Sequence, residues 1–450
     1  LAWDVLAQSP APDMALNNWE RFEHSIADIE KHYEELLQQP KRLELLLQVF
    51  ASSQFLADIL IKYPEFYNWV TDPTRIKTLR RREDMANDLK LETAQVKNAA
   101  ELGRIIRKFR KREILRIATR DICLLVSIEE IVAELSHLAD AIIETSLAYI
   151  QGNAESPPFC VFALGKLGGK ELNYSSDLDL IGIYDVPDGR LKEETEQICA
   201  GWMEQLRALL SDHTDEGYVY RIDLRLRPYG RSGNLVYPYQ SLLEYYRSTA
   251  SLWEVQALLK LRPVAGNAEL GPRFLSSIRP LLIKDYVKAE VIETIKTLRL
   301  EAVKRSSGSL LNGRDIKSGE GGIRDIEFLL QGFQLVFCKR FPELITGNTL
   351  EGIRRLGEEG LLPGTVTDSL IDDYTFLRRV EHFLQILEDR QTHTLPKTDR
   401  EREELARRMS RQGIHHRDFY SRLEQTLERV HSAYATYLLG LTEELPQHET

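Results

Sequence analysis

Asp177 and Asp179 lie two residues apart in Ser175-Ser176-Asp177-Leu178-Asp179, which opens into an apolar run ending at Tyr184. An earlier apolar run, Phe159 to Leu164, breaks at Gly165-Lys166-Leu167-Gly168-Gly169. This order reads as strand, glycine-rich turn, connector, strand. Side chains alternate along a strand, so the two carboxylates share a face, with Cα atoms about 6.5–7 Å apart. Such a pair can hold two divalent cations about 3.5–4 Å apart. Glycines let a backbone approach a ligand, and successive free amides suit phosphate. Together these residue types serve phosphoryl or nucleotidyl transfer. Asp pairs at strand ends also act as caps and turn residues, and GxxGG also serves as a plain turn. The setting favours the metal reading, because ionised carboxylates inside an apolar strand are costly unless a cation offsets them.

A second constellation follows in Gly217 to Pro228, GYVYRIDLRLRP. Its period-two alternation predicts a strand with Tyr220, Ile222, Leu224 and Leu226 on one face. Arg221, Asp223, Arg225 and Arg227 take the other. That face is either a surface ion-pair ladder, which contributes little, or a site in which Asp223 joins Asp177 and Asp179 as a third metal ligand. In the second case Arg225 and Arg227 bind phosphate oxygens, which suit their planar forks. Gly168, Gly169, Ser175 and Ser176 are the other candidate phosphate or nucleotide contacts. Glu254 and Lys260 sit on an expected helix, and Arg324 and Glu327 follow Gly321-Gly322 at the start of another; all four are candidates for supporting roles. Acidic residues in a first turn also simply complement the helix dipole.

The elements that must position these residues are mostly helical. Residues 1–155 show helical spacing throughout, as in Leu43, Leu46, Leu47 and Phe50, or Ile131, Leu135, Leu138 and Ile142. Between Arg104 and Arg120 runs a cluster of basic residues, read as a solvated helix face or as a surface for phosphate or an acidic partner. The stretch Gly152 to Pro158, GNAESPP, is the expected linker into an α/β core over 156–270. Ile198, Met203, Leu206 and Leu210 predict a helix across one sheet face. Residues 271–450 read as a helical bundle, with Ile326, Leu329, Leu330, Phe333 and Phe337 forming one stripe. The expected class is α+β, mostly helical, with a small mixed sheet flanked by helical domains.

A chain of 450 residues exceeds one ordinary core. Its net charge of −10 argues against nucleic acid as the main partner. No apolar run approaches the roughly 20 residues that span a bilayer, and Leu1 to Ala15 lacks a basic signal-peptide region. Cys123, Cys160, Cys199 and Cys338 are scattered, without metal-ligand spacing. Unpaired thiols with apolar flanks predict a reducing, cytoplasmic setting.

Three motifs in order, GKLGGKELNYSSDLDL, YRIDLRLRPYGRSGNLV and SGEGGIRDIEF, resemble the bifunctional glutamine synthetase adenylyltransferase/adenylyl-removing enzymes of bacterial nitrogen control. Those enzymes belong to the nucleotidyltransferase superfamily typified by polymerase beta. The resemblance covers most of the chain and implies a polymerase-beta-like core. Family members carry two homologous halves, one removing AMP from glutamine synthetase and one attaching it; this chain holds one such core. Gly217-Tyr218-Val219-Tyr220-Arg221-Ile222-Asp223 resembles the GFVYRVD of the adenylyl-removing half. Ile316-Lys317 with Gly321 to Phe328 resembles its IK…GGIREIEF, with Asp325 in place of Glu.

The resemblance implies that Asp177, Asp179 and Asp223 hold two Mg²⁺ ions and that Gly168 and Gly169 match the superfamily's glycine pair. It further implies phosphorolysis of adenylyl-tyrosine on adenylylated glutamine synthetase, with inorganic phosphate and adenine nucleotide as small partners and control by the PII signal protein. The alternatives are the adenylyl-attaching half, using ATP, and a degenerate module that binds nucleotide or a signal protein.

Overall fold

The computed structural model describes residues 2–152, 156–307, 314–410 and 415–442. Helices follow one another from Ala2 to Gln151, ending in two long ones, α1 (Ala99–Cys123) and α2 (Ile128–Gln151). Asn98 and Ser127 start them, each side-chain oxygen accepting from the amide three residues on. The linker expected after Gly152 includes residues 153–155, which lie outside the described residues.

Beyond it lies a five-stranded mixed sheet: β1 (Phe159–Ala163), β2 (Leu178–Tyr184), β3 (Ile222–Asp223), β4 (Val236–Pro238) and β5 (Arg262–Gly266). β1 is central and antiparallel to both β2 and β5. β2 pairs in parallel with β3 at its start and with β4 at its end. Every residue of β1 is buried, so both faces are covered, and strand alternation sorts its aromatics between them. Phe159 meets Trp202 of α3 (Lys192–Ser211), with ring centroids 5.8 Å apart. Phe162 turns the other way, onto Phe274 of the Leu270–Leu282 helix at 5.5 Å. Cys160 is buried in this core, as its apolar flanks predict. α3 crosses the sheet as expected, except that Ile198 is exposed and Cys199 and Trp202 take the core positions.

The strand predicted over Gly217 to Pro228 shrinks to two residues. Asp223 Oδ1 accepts from the Arg225 amide at 2.8 Å, a local turn that competes with the ladder. Tyr229 and Gly230 then adopt positive φ of 59° and 56°, and the chain folds back toward β4. The apolar alternation is real, with Tyr220 and Leu224 buried, but a side chain that captures its own backbone ends the strand.

The basic run on α1 is also not a solvated face. Only Arg104 and Lys108 are exposed. Arg116 is wholly buried between Glu113 and Glu134, at 2.9 and 2.7 Å, and Arg120 Nε lies 2.8 Å from Glu134. Arg107 donates to the Gly217 and Asp212 carbonyls, both at 2.7 Å. The run is a structural ion network between helices.

On the C-terminal side, α4 (Ile323–Phe337) packs beside α5 (Gly364–Ile386), which meets the connector that precedes β2. α4 starts at Gly322 after Gly321 at φ 71°, where a side chain would meet the Leu427 carbonyl. Its stripe buries Ile326, Leu329, Leu330 and Phe333, with Phe337 partly covered. α5 buries Leu377, Val380 and Leu384 as their spacing predicts, but also Arg378, Arg379, Glu381 and His382. Arg378 Nη2 grips the connector before β2 by donating to the Glu171 carbonyl at 2.7 Å, while Arg379 Nη1 ties α5 to Asp121 of α1 at 2.7 Å.

Candidate active site

Asp179 and Asp223 occupy the same register position on the parallel strands β2 and β3. Neighbouring strands lie about 4.8 Å apart, so two carboxylates from distant sequence stand side by side. Asp177 lies two residues before Asp179, just ahead of β2. Gly165, at φ 55°, closes over Asp179: a Cβ there would fall 2.2 Å from Asp179 Oδ2. The first glycine of the loop is thus needed for the carboxylate to fit. Burial, then Asp223, then Asp177, pushes the Asp179 carboxyl up to about 7.

Arginines restrain the two outer carboxylates. Arg221 Nε donates to Asp177 Oδ1 at 2.5 Å, while its Nη2 donates to the Ser175 carbonyl at 2.6 Å. Arg225 grips Asp223 with Nε and Nη2 at 2.8 and 2.5 Å from Oδ2. Burial works against ionisation of Asp223, but the Arg225 contacts hold it below the ordinary carboxylate range. Held apart in this way, the trio does not form a ligand cluster: no group of three or more His, Cys, Asp or Glu is gathered for a metal among the described residues. The donor chemistry fits a hard divalent cation such as Mg²⁺, which takes carboxylate oxygen. Burial and the charges of Asp223 and Asp177 together raise the Asp179 carboxyl, and a cation would offset both.

Several other residues singled out in the sequence have different uses. The Gly168 and Gly169 amides donate to the Leu164 and Gly165 carbonyls at 2.9 and 3.1 Å, so they are not free for phosphate. Their missing side chains leave room for backbone: a Cβ would meet the carbonyl of Lys260 at Gly168 and that of Gly347 at Gly169. Ser175 donates to Asp389 at 2.7 Å, and the Ser176 hydroxyl accepts from the Asn173 amide at 3.2 Å, so both shape the connector instead of facing a ligand. Arg227 donates to the carbonyls of Leu224 at 2.6 Å and Asn234 at 2.9 Å, bracing the loop after β3. Of the expected phosphate contacts only Arg225 is exposed beside the carboxylates. Glu254 is a helix cap, accepting from the Ser251 amide at 2.9 Å and the Tyr245 hydroxyl at 2.6 Å. Lys260 is buried on Glu171 at 2.8 Å, and Glu171 also accepts from the Thr349 amide at 2.7 Å.

A cationic wall completes the site. Lys166 donates to both oxygens of Glu381, at 3.1 and 2.9 Å. Burial, then nearby Arg378, lowers the Lys166 ammonium to about 7. Burial opposes ionisation of Glu381, yet Lys166, His393, Lys317 and Arg378 hold it well below the usual range. Glu327 is held low against burial by Lys260, Lys166, Lys317 and Arg324. Gln391 reaches Asp177 at 3.4 Å. Sequence reading missed Lys166, Lys317, Glu381 and His393. A charged Glu381 inside the apolar stripe of α5 was the available signal, since a buried charge needs partners.

A family model described as glutamate-ammonia ligase adenylyltransferase matches residues 43–277, which carry all three carboxylates. The chain belongs to this family. A second model, GlnD PII-uridylyltransferase, matches residues 293–438, which carry Lys317, Glu327 and Glu381. Similar curated proteins bear the name bifunctional glutamine synthetase adenylyltransferase/adenylyl-removing enzyme. One from Thioalkalivibrio sulfidiphilus is 37% identical over 81% of this chain and 39% of its own length. Another from Psychromonas ingrahamii is 33% identical over 89% of this chain and 43% of its own. This adenylyltransferase-family chain therefore spans about two fifths of the length of the curated relatives it matches. No described helix is long and apolar enough to cross a membrane.

Proposed function

We propose that the chain removes AMP from adenylyl-tyrosine of glutamine synthetase by phosphorolysis, releasing ADP and the free tyrosine. The observation that carries this reading is the register match of Asp179 with Asp223, flanked by Asp177, in a chain whose relatives are named for adenylyl transfer and removal. An oxygen of inorganic phosphate attacks the α-phosphorus, the bond to the tyrosine oxygen breaks, and the phenolate takes a proton. A free phenol has a pKa of about 10, which makes it a tolerable leaving group.

Asp177, Asp179 and Asp223 would hold Mg²⁺, which when bound neutralises charge on the attacking and leaving oxygens. Arg221 fixes Asp177 and ties it to the connector. Its position before Ile222 and Asp223 is the feature that resembles the removing half. Arg225, exposed beside Asp223, can turn its fork to phosphate oxygens once a cation relieves the carboxylate.

The test is incubation with adenylylated glutamine synthetase, Mg²⁺ and phosphate. Release of ADP supports removal. The name of the matched family model favours attachment as the second reading, and incorporation of AMP from ATP without ADP release would replace the first reading with it.

A further inference from the structure

α5 ends at Ile386, and the Arg390 amide donates back to the Gln385 carbonyl at 3.3 Å, closing the helix end. Asp389, at φ 50°, lets the chain turn there. Helix ends of this kind usually place glycine at the left-handed position, because a side chain is unfavourable there. Asp is tolerated where its short side chain bonds to nearby backbone. Asp389 reaches much farther: its Oδ1 accepts from the Ser175 hydroxyl at 2.7 Å, 214 positions away in sequence. The turn is also tied to the N-terminal helices. The Gln54 and Phe55 amides, at the start of the helix Gln54–Lys62, donate to the Leu387 carbonyl at 3.0 and 3.3 Å. The Ser53 hydroxyl donates to the Ile386 carbonyl at 2.5 Å.

Ser175 is buried, and each of its polar groups is taken. Its amide donates to Gln385 Oε1 at 3.3 Å, its hydroxyl to Asp389, and its carbonyl accepts from Arg221 Nη2 at 2.6 Å. Through Nε the same guanidinium holds Asp177 Oδ1 at 2.5 Å. Gln391, two residues past Asp389, reaches the other oxygen of Asp177 at 3.4 Å. A chain of direct bonds thus runs from Asp389 through Ser175 and Arg221 to Asp177, and the left-handed turn touches both ends of it. A strained backbone conformation persists only where its surroundings fix it, and such residues gather at functional sites.

We infer that Asp389 is a positioning residue: it fixes Ser175, and through Ser175 the Arg221 fork that aims Asp177 at the cation site. The inference rests on the reading of the three carboxylates as that site and adds the residue that steadies one of them from the C-terminal helices. A plain helix cap needs only the left-handed backbone, which glycine supplies better than aspartate. The carboxylate is needed only for Ser175. The two roles therefore separate in Asp389→Gly.

The test measures Mg²⁺ binding to the full chain by calorimetry, with the melting temperature and amide exchange of the metal-free protein. Asp389→Gly removes the carboxylate and relieves the turn. It should bind Mg²⁺ about fivefold more weakly than wild type, the net effect of one hydrogen bond. Its metal-free melting temperature should stay close to wild type, since glycine suits the turn, while amide exchange from Ser175 to Asp177 quickens. Asp389→Asn keeps an acceptor oxygen and tolerates the left-handed region, so it should lose less than Asp389→Gly. Ser175→Ala removes the other partner without touching the turn and should weaken Mg²⁺ binding to the same extent. Combining it with Asp389→Gly should add little. Equal Mg²⁺ affinity in wild type and Asp389→Gly overturns the inference and leaves Asp389 a helix cap. If Asp389→Gly also lowers the metal-free melting temperature, Ser175→Ala decides: weaker Mg²⁺ binding at the wild-type melting temperature supports the inference, and unchanged binding overturns it. A wild type that binds no Mg²⁺ overturns the metal reading itself, and the inference with it.

Discussion

Asp179 is the residue whose surroundings say most about the chemistry. Gly165 crowds it, Asp223 faces it, and its carboxyl is pushed up to about 7. Asp179→Asn should abolish turnover with the fold intact, because the amide keeps the shape but not the charge. Mg²⁺ should raise the melting temperature of wild type, by roughly 2.7 kcal/mol of stability at a hundred times its dissociation constant. Asp223→Ala should lose much of that increment; an equal increment in both proteins would place the third ligand elsewhere. Lys166 gives a pH test. Its ammonium is lowered to about 7 in the fold, against about 10.4 unfolded. Between those values the unfolded chain binds more protons, so this residue makes stability rise with pH over that window. Urea midpoints of Lys166→Met should show a shallower rise between pH 7 and 9 than wild type. The pairing of Asp179 with Asp223 follows the alternation read from the sequence, whereas Asp177, expected on the same strand, lies just ahead of β2 and is aimed by Arg221. The uses of Ser175, Arg227 and Glu254 were not legible there, because a donor's partner is decided by how loops fold back.

The segment after β3 and the helix α1 show where pattern reading stops at the scale of elements. Alternation over Gly217 to Pro228 predicts a strand, but the Asp223 side chain captures the Arg225 amide and Arg227 fastens the turn. Arg227→Ala should therefore destabilise the protein by about 1–3 kcal/mol, the range for leaving buried or partly buried carbonyls unmet. It should also leave phosphate affinity near wild type; a selective loss of phosphate binding at unchanged stability would return Arg227 to the ligand set. On α1, spacing shows the helix but not that its arginines face inward, since the acidic partner Glu134 comes from α2. Glu134→Ala, which takes the shared buried carboxylate from Arg116 and Arg120 and leaves them Glu113 and Glu130, should cost about 3–5 kcal/mol in chemical denaturation. A loss below about 1 kcal/mol would mean that water reaches the network.

The site belongs to the whole molecule and not to the sheet alone. Residues 43–277 supply the carboxylates and Lys166, residues 293–438 supply Lys317, Arg378 and the Glu381 that they surround, and the two regions match different family models. Lys166 with Glu381, and Glu171 with Thr349, join them directly. A chain cut after Val287 should lose catalysis and expose the apolar faces that those helices cover. The mixed sheet and helical flanks were legible from apolar runs and periodicity, whereas the convergence of α5 on the connector was not, because contacts two hundred residues apart leave no local pattern. The most direct measurement incubates this chain with adenylylated glutamine synthetase, Mg²⁺ and labelled phosphate, and follows nucleotide release. The account expects labelled ADP in proportion to the AMP lost from the enzyme, and none with Asp179→Asn. AMP loss without label in ADP, or AMP incorporation from ATP in its place, would contradict it.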